Sequence, residues 1–214
     1  MEDYRSIPAF CINIDGRRDR WRQAQDEFNR LNWSPIRVSA IVHNERPAGG
    51  LSAGTSGALD SHRKVWGMIL EEECEVAAVF EDDAVFPSDF EEVFPKAYAE
   101  LPKDWNLWHL HSFGPKQMKS IVLHGTYITK LVSMGWGAHG YLVKKDFASK
   151  MLEIIERRKM SADVFLTSGL MRSGHQPYGT APRFTLCFQR GDSSDIPETS
   201  QLGYWRRMAN AYMR

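Results

Sequence analysis

The sequence predicts an α/β protein built on a mostly parallel central sheet, and three observations carry that expectation. First, a short Val-rich run, Val76-Ala77-Ala78-Val79-Phe80, passes straight into three acids, Glu81-Asp82-Asp83, and apolar residues resume at once with Ala84-Val85-Phe86. A compact apolar run of this kind is the pattern of a strand buried on both faces. Second, strand-like runs alternate with amphipathic helical stretches through the first half of the chain, the order that winds a parallel sheet. Third, 214 residues with 43% hydrophobic and 25% charged side chains suit one globular domain spanning 1–214.

Taken in order, Ile7 to Ile14 reads as the first strand, stopping at Asn13-Ile14-Asp15-Gly16, where glycine permits a sharp turn. Arg17 to Leu31 follows as a helix with Trp21, Ala24, Phe28 and Leu31 on one face. Arg17, Arg18, Arg20 and Arg22 crowd its first turns, where the helix dipole favours anions. A bound anion in front of them accounts for that placement; a solvated basic face is the alternative. Pro35 to Ala40 is a second strand, and Ile41 to Gly54 a polar, aperiodic loop. A helix from about Thr55 to Cys74, capped by Ser52 or Thr55, buries Leu59, His62, Val65, Trp66, Ile69 and Leu70.

After the acid-tipped strand, Pro87-Ser88-Asp89 opens a helix that ends near Leu101-Pro102. Trp105 to His111 reads as a strand, and Gly114 to Gly125 as a basic, irregular loop. Thr126–Val132 and Gly137–Val143 read as two strands about the turn Ser133-Met134-Gly135. Lys145–Arg157 and Ala162–Ser173 are helices, the second capped by Ser161. Pro177–Gln189 holds one or two short strands, Gly191–Ser200 is polar, and Gln201–Met213 is a helix rich in Trp, Tyr and Met.

Composition excludes several classes. Lys plus Arg and Asp plus Glu both number 27, so bulk attraction to nucleic acid or anionic lipid is not expected. No apolar run reaches the ~18–20 residues of a membrane span. Cys11, Cys74 and Cys187 are odd in number and lie among apolar residues, as buried free thiols in a reducing compartment do. The short acidic start Met1-Glu2-Asp3-Tyr4-Arg5 reads as no secretory signal, so the expected location is cytoplasmic.

Three adjoining carboxylates repel one another unless a hard cation such as Mg²⁺ or Mn²⁺ shares the site. Open α/β sheets bind ligands beyond the carboxyl ends of their strands. A divalent-metal site at Glu81-Asp82-Asp83 is therefore expected, an acidic surface turn being the alternative. His109 and His111 share a strand face and read as a metal pair, as an acceptor lining or as packing. Trp105, Trp136 and Tyr141 are sugar-stacking candidates or core anchors.

Six segments stand in a telling order: Asn13 to Arg20 (NIDGRRDR), Gly57 to Trp66 (GALDSHRKVW), Glu81-Asp82-Asp83, Gly137 to Val143 (GAHGYLV), Ala162 to Leu166 (ADVFL) and Pro182 to Ile196 (PRFTLCFQRGDSSDI). This order, covering Ile7 to about Ile196, resembles glycosyltransferase family 25, which includes bacterial lipooligosaccharide and animal collagen galactosyltransferases. The chain departs from the family pattern at Ile12-Asn13-Ile14, at Gly57-Ala58-Leu59-Asp60 and at Ser161-Ala162, where a Pro usually precedes the late Asp. The resemblance implies a GT-A fold: a Rossmann-like sheet that binds a UDP-sugar, a DxD-type Mn²⁺ or Mg²⁺ site, and a small antiparallel acceptor-side sheet. It divides the chain into a nucleotide-binding half, about 1–112, and an acceptor-side half, about 113–214. The implied reaction moves a hexose, galactose or glucose, to a saccharide or glycoconjugate acceptor with inversion.

Within that expectation Asp83 is the direct metal ligand, Asp82 reaches the ribose or shares the metal, and Glu81 orients both or touches the sugar. Asn13, Asp15, Arg17 and Arg20 frame the nucleotide, with a structural Asp15–Arg20 salt bridge as the alternative. Ser61 and His62 contact the donor, or pack. Asp163 is the general base, or a charge at a helix start. Gln189 to Asp195 closes over the diphosphate, with Arg190 on a phosphate and Asp192 as a second ligand; a polar surface loop is the alternative. A metal-dependent phosphoesterase or nucleotidyltransferase, or a non-catalytic sugar-binding module, are the rival classes.

Overall fold

The computed structural model describes residues 3–46, 51–112, 121–132, 137–156 and 160–190. Strands β1 (Ala9–Asn13), β2 (Pro35–Ser39) and β3 (Val76–Glu81) are joined through helices α1 (Arg18–Arg30) and α2 (Ala53–Glu71). They form the parallel unit β2-β1-β3 expected for the first half. A second run comprises β4 (Ala84–Val85), α3 (Phe90–Glu100), β5 (Leu107–His109), β6 (Ile121–Leu123), β7 (Ile128–Leu131), β8 (Gly140–Lys144) and α4 (Lys145–Glu156). Helix α5 (Ala162–Val164) continues as a π-helical turn, Phe165–Gly169, and β9 (Tyr178–Thr180) and β10 (Phe188–Gln189) follow. The main sheet has the order β2-β1-β3-β8-β5-β9-β7-β6, and β10 pairs antiparallel with β4 in a two-stranded sheet.

Beyond β3 the sheet becomes mixed. Strand β8 is antiparallel to both β3 and β5, while β5 and β9 are parallel. β7 pairs antiparallel with β6 and β9. Thr126–Val132 and Gly137–Val143 are thus not neighbours in the sheet, because β5 and β9 lie between them. Ile121–Leu123, read from sequence as irregular, is an edge strand; its Val122 and Leu123 stay exposed, so no buried face announces it. Ser52 settles the start of α2, accepting from the Thr55 N–H at 3.2 Å. Ser161 sits at the start of α5 without a side-chain capping bond.

The alternation of β3 feeds two hydrophobic layers. Ala78 and Phe80 join α1 and α3 in an aromatic cluster with Tyr4, Phe28, Trp33, Phe90 and Phe94. Ala77 and Val79 join α2, α4 and α5 with Trp66, Tyr141, Met151 and Phe165. Gly140 stands in β8 opposite Phe80, and a Cβ there would come within 2.6 Å of the Cys187 sulfur. Cys11 and Cys187 are buried and free, and Cys74 is half-buried and free. No helix among the described residues is long and apolar enough to cross a membrane. Residues Gly191–Ser200 and Gln201–Met213, with Asp192, Asp195 and Trp136, lie outside the described residues.

Candidate active site

The three acids at the end of β3 do not act as one cluster, because strand alternation sends each to a different element. Glu81 continues the Ala77–Val79 face and meets α2, where its Oε1 lies 3.4 Å from His62 Nε2. Asp82, one residue on, falls to the α1 side: Asn13 Nδ2 donates to it at 2.7 Å and Arg20 Nη1 lies 3.4 Å away. Asp83 sits in the turn before β4 and faces β10, where Gln189 Nε2 donates to its Oδ2 at 2.8 Å. The Arg190 N–H donates to the Asp83 carbonyl at 2.7 Å and closes that turn onto β10.

These environments set the charges. Burial raises the proton affinity of Glu81, but the hydrogen bond from His62 and nearby positive charge outweigh it and hold the group below the usual carboxylate range. Asp82 is shifted up, burial outweighing the bonds from Asn13 and Arg20. Asp83 is pushed up to about 7, by burial first and then by the charge of Glu81. Its Oδ1 is buried with no hydrogen-bond partner among the described residues. A carboxylate that dislikes its charge and has a free oxygen fits a cation ligand.

Arginines face Asp83. A small cavity of about 40 Å³ is lined by Arg17, Asp19, Arg20, Gln23, Asp83 and Arg190. Arg17 also pairs with Asp19 at 3.0 Å, and Arg190 lies 3.7 Å from Glu27. The basic start of α1 therefore borders a partly open pocket into which the buried carboxylate of Asp83 also opens. Asn13 is the hinge of this network: its Nδ2 also donates to the Arg17 carbonyl at 3.1 Å, while Arg37 Nε and Nη2 donate to its Oδ1 at 3.0 and 2.7 Å. Arg37 Nη2 also reaches Asp15 at 2.9 Å, and Ser39 donates to the same oxygen at 2.8 Å. Asp15 thus pairs with Arg37, and Arg20 with Asp82, in place of an Asp15–Arg20 bridge.

The other expected residues divide. His62 is buried on Glu81, as above. Ser61 is turned the other way: its hydroxyl donates to the Gly57 carbonyl at 2.7 Å and accepts from the Ile41 N–H at 2.8 Å, tying down the loop ahead of α2. Asp163 is half-buried at the start of α5, and its Oδ1 accepts from the Val164 N–H at 2.9 Å. Trp105 and Tyr141 are buried in the core and present no open face for sugar stacking, and the Lys144 ammonium covers the Trp105 ring. His109 and His111 are buried, with ring centroids 5.0 Å apart, and His111 packs on His139 at 4.3 Å. The π-turn directs the Leu170 N–H to the Phe165 carbonyl, and the Leu166 carbonyl meets His109 Nε2 at 3.2 Å. Among the described residues no three His, Cys, Asp or Glu side chains are arranged to hold a metal. Sequence reasoning passed over Arg37, whose only signal is a long cation on an otherwise small strand, and Tyr141 as the partner of His62.

Acids and arginines thus gather at one strand end of an α/β sheet, where such sheets bind ligands. A model of glycosyltransferase family 25 (LPS biosynthesis protein) matches residues 6–166, and the chain belongs to that family. It is a glycosyltransferase. No curated protein matches the chain. Among solved structures it is similar to protein A197 from STIV, at 14% identity and TM-score 0.45, over 90% of this chain and 99% of that one. It is also similar to a Drosophila β-1,4-galactosyltransferase 7 mutant in complex with manganese, UDP-Gal and xylobiose, at 11% identity and TM-score 0.46, over 83% and 68%. The inositol-1-phosphate CTP transferase of T. maritima aligns at 14% identity and TM-score 0.43, over 94% and 76%.

Proposed function

We propose that the protein transfers a hexose, galactose or glucose, from a UDP-sugar to a saccharide or glycoconjugate acceptor, with inversion, and that a Mn²⁺ or Mg²⁺ ion is held at Asp83. The observation that carries this reading is the buried Asp83 Oδ1, without a hydrogen-bond partner among the described residues, on a cavity lined by Arg17, Arg20 and Arg190. Ions that work on nucleotide phosphates take one or two carboxylates and draw their other ligands from phosphate and water, so a single carboxylate suits such a site. A divalent cation bound there supplies Lewis-acid neutralisation of the departing diphosphate.

The chain's own residues do the rest. Asp83 anchors the cation, and Gln189 fixes the carboxylate so that Oδ1 is the oxygen presented. Arg17 and Arg190 meet diphosphate oxygens, where guanidinium geometry suits bidentate contact. Asp82 has both oxygens committed to Asn13 and Arg20, so it shapes the nucleotide end from behind, and Asn13, Asp15 and Arg37 form the wall of that end. Glu81 borders the sugar. Asp163 is the base that takes the acceptor hydroxyl proton, from the half of the chain that receives the acceptor. Asp192 is a second cation ligand in the segment after Gln189.

Thermal-shift screening against UDP-, GDP- and dTDP-sugars, with and without Mn²⁺, tests the donor, because a ligand of the folded state raises Tm by mass action. The expected result is stabilisation by UDP-sugar with Mn²⁺ beyond either alone, with slow release of UDP. Cleavage of a plain phosphodiester without UDP-sugar turnover overturns it. An Asp163→Asn variant that transfers at the wild-type rate removes the assigned base.

A further inference from the structure

His62 and Trp66 are four residues apart on α2 and share its inner face. Tyr141 lies on β8 opposite Val79, two residues before Glu81 on the same face of β3. These two placements bring four polar groups into line. Trp66 Nε1 lies 2.8 Å from the Tyr141 hydroxyl oxygen, that oxygen lies 3.0 Å from His62 Nδ1, and His62 Nε2 lies 3.4 Å from Glu81 Oε1. Trp66 and Tyr141 are fully buried and His62 is 1% exposed.

The chemistry of the groups gives the line a direction. An indole N–H only donates, so the Tyr141 oxygen accepts from Trp66. The hydroxyl proton then needs an acceptor, and the hydroxyl's other partner is His62 Nδ1. With Nδ1 accepting, the ring proton of His62 is on Nε2, facing Glu81. The opposite tautomer turns Nδ1–H onto an oxygen that already accepts from Trp66, leaves the buried hydroxyl proton unbonded, and sets a nitrogen lone pair against a carboxylate. Unmade bonds in such a dry place are costly, so one arrangement is selected.

We propose that Tyr141, backed by Trp66, is a positioning residue that locks His62 as the Nε2–H tautomer, so that His62 donates to Glu81 and holds this carboxylate on the α2 side, apart from Asp83. The functional consequence rests on the reading that Glu81 borders the donor sugar. The locked tautomer itself does not.

Two measurements test it. In protein labelled with ¹⁵N-histidine, with His62→Gln used to assign the signals, wild-type His62 shows the proton on Nε2. In Tyr141→Phe the two tautomers mix. Nδ1–H in the wild type, or an unchanged spectrum in Tyr141→Phe, overturns the proposal. If Tyr141→Phe does not fold, Trp66→Phe, which frees the hydroxyl to turn, carries the same comparison. The second measurement is a double-mutant cycle on kcat. A glutamine at 62 donates to Glu81 without help from Tyr141. Tyr141→Phe is therefore expected to lower kcat on the order of tenfold in the wild-type background, as loss of a hydrogen bond to a charged group does, and to change it little in the His62→Gln background. Equal losses in both backgrounds mean a packing role and overturn the proposal. If the wild type transfers no sugar from a UDP-sugar, the proposed function fails while the nitrogen spectrum still decides the relay.

Discussion

The two faces of β3 are both aromatic, yet they use their aromatics differently. On the α1/α3 face, Phe28, Trp33, Phe80, Phe86 and Phe90 meet mostly edge to face, with Phe28–Phe80 centroids at 5.2 Å and Trp33–Phe80 at 5.4 Å. The polar atoms there reach backbone or distant surface: Trp33 Nε1 donates to the Ile7 carbonyl, and the Tyr4 hydroxyl to the Leu31 carbonyl. On the α2/α4/α5 face, Trp66, Tyr141 and His62 hand their polar atoms to one another and end on Glu81. One face is ballast for the strand, and the other reaches through to the acid at its tip. Alternation along β3 gives both from one strand, and it separates the acids by the same rule.

Asp83, in the turn just beyond the strand, carries the largest expected effect. Asp83→Ala is expected to lower transferase turnover on the order of a thousandfold, the loss of several kcal/mol of charge neutralisation at the diphosphate. Its far-UV spectrum stays native, since the variant deletes a carboxylate that burial already disfavours. Wild-type turnover in this variant sinks the metal assignment. On the ballast face, Phe28→Ala is expected to destabilise by about 3–5 kcal/mol, since Phe28 is fully buried, while kcat per folded molecule holds. A comparable fall in kcat from this variant collapses the distinction between the faces.

The same contrast has a pH signature. His109 is pushed down to about 4, chiefly by burial, with the charge of His139 adding to it. Its unfolded form, near 6.5, binds the proton first, so the folded state loses stability as pH falls from about 6.5 to about 4, on the order of 3 kcal/mol. Asp83 behaves oppositely. Its folded form keeps a proton up to about 7, so without metal stability falls as pH rises from about 4 to about 7. Urea melts across pH 4–8 check both. His109→Gln flattens the acid limb, and Asp83→Asn removes the decline toward neutrality. Mn²⁺ reverses that decline in the wild type, because cation and proton compete for one carboxylate. Variants that leave both slopes unchanged reject these assignments.

Much of this was legible in the sequence. The Val-rich run, the alternating elements and the arginine-rich start of α1 are local patterns, and each stands where expected. The strand order beyond β3 was not, because Gly137–Val143 carries the same apolar signature whether it pairs with β7 or inserts between β3 and β5. Nor were the fates of the acids: only the register of β3 against its neighbours tells that Asp82 is spoken for by Asn13 and that Asp83 keeps an oxygen. Ser61 takes up the packing alternative for a related reason. Beside His62 in sequence, it faces a different way on the helix and spends its hydroxyl on Gly57 and Ile41.

The smallest effect tests whether the nucleotide wall is more than a surface. Arg37 holds Asn13 Oδ1 with two N–H groups, reaches Asp15, and lies over the Trp21 ring with its guanidinium carbon 5.6 Å from the centroid. Those bonds fix which end of the Asn13 amide faces Asp82. A lysine keeps the charge but offers a point donor without the planar fork. Its side chain is one third exposed, so Arg37→Lys is expected to cost no more than about 1 kcal/mol of stability. Its mark should lie in donor binding, a KM for the UDP-sugar raised by roughly threefold to tenfold at nearly constant kcat, as loss of uniform binding predicts. Arg5, equally exposed on the ballast face, donates its Nε to the Leu31 carbonyl and pairs with Asp3 and Glu91. Arg5→Lys is expected to leave KM unchanged. If the two substitutions give the same KM, Arg37 is a surface pair like Arg5, and the wall of the nucleotide end begins at Asn13.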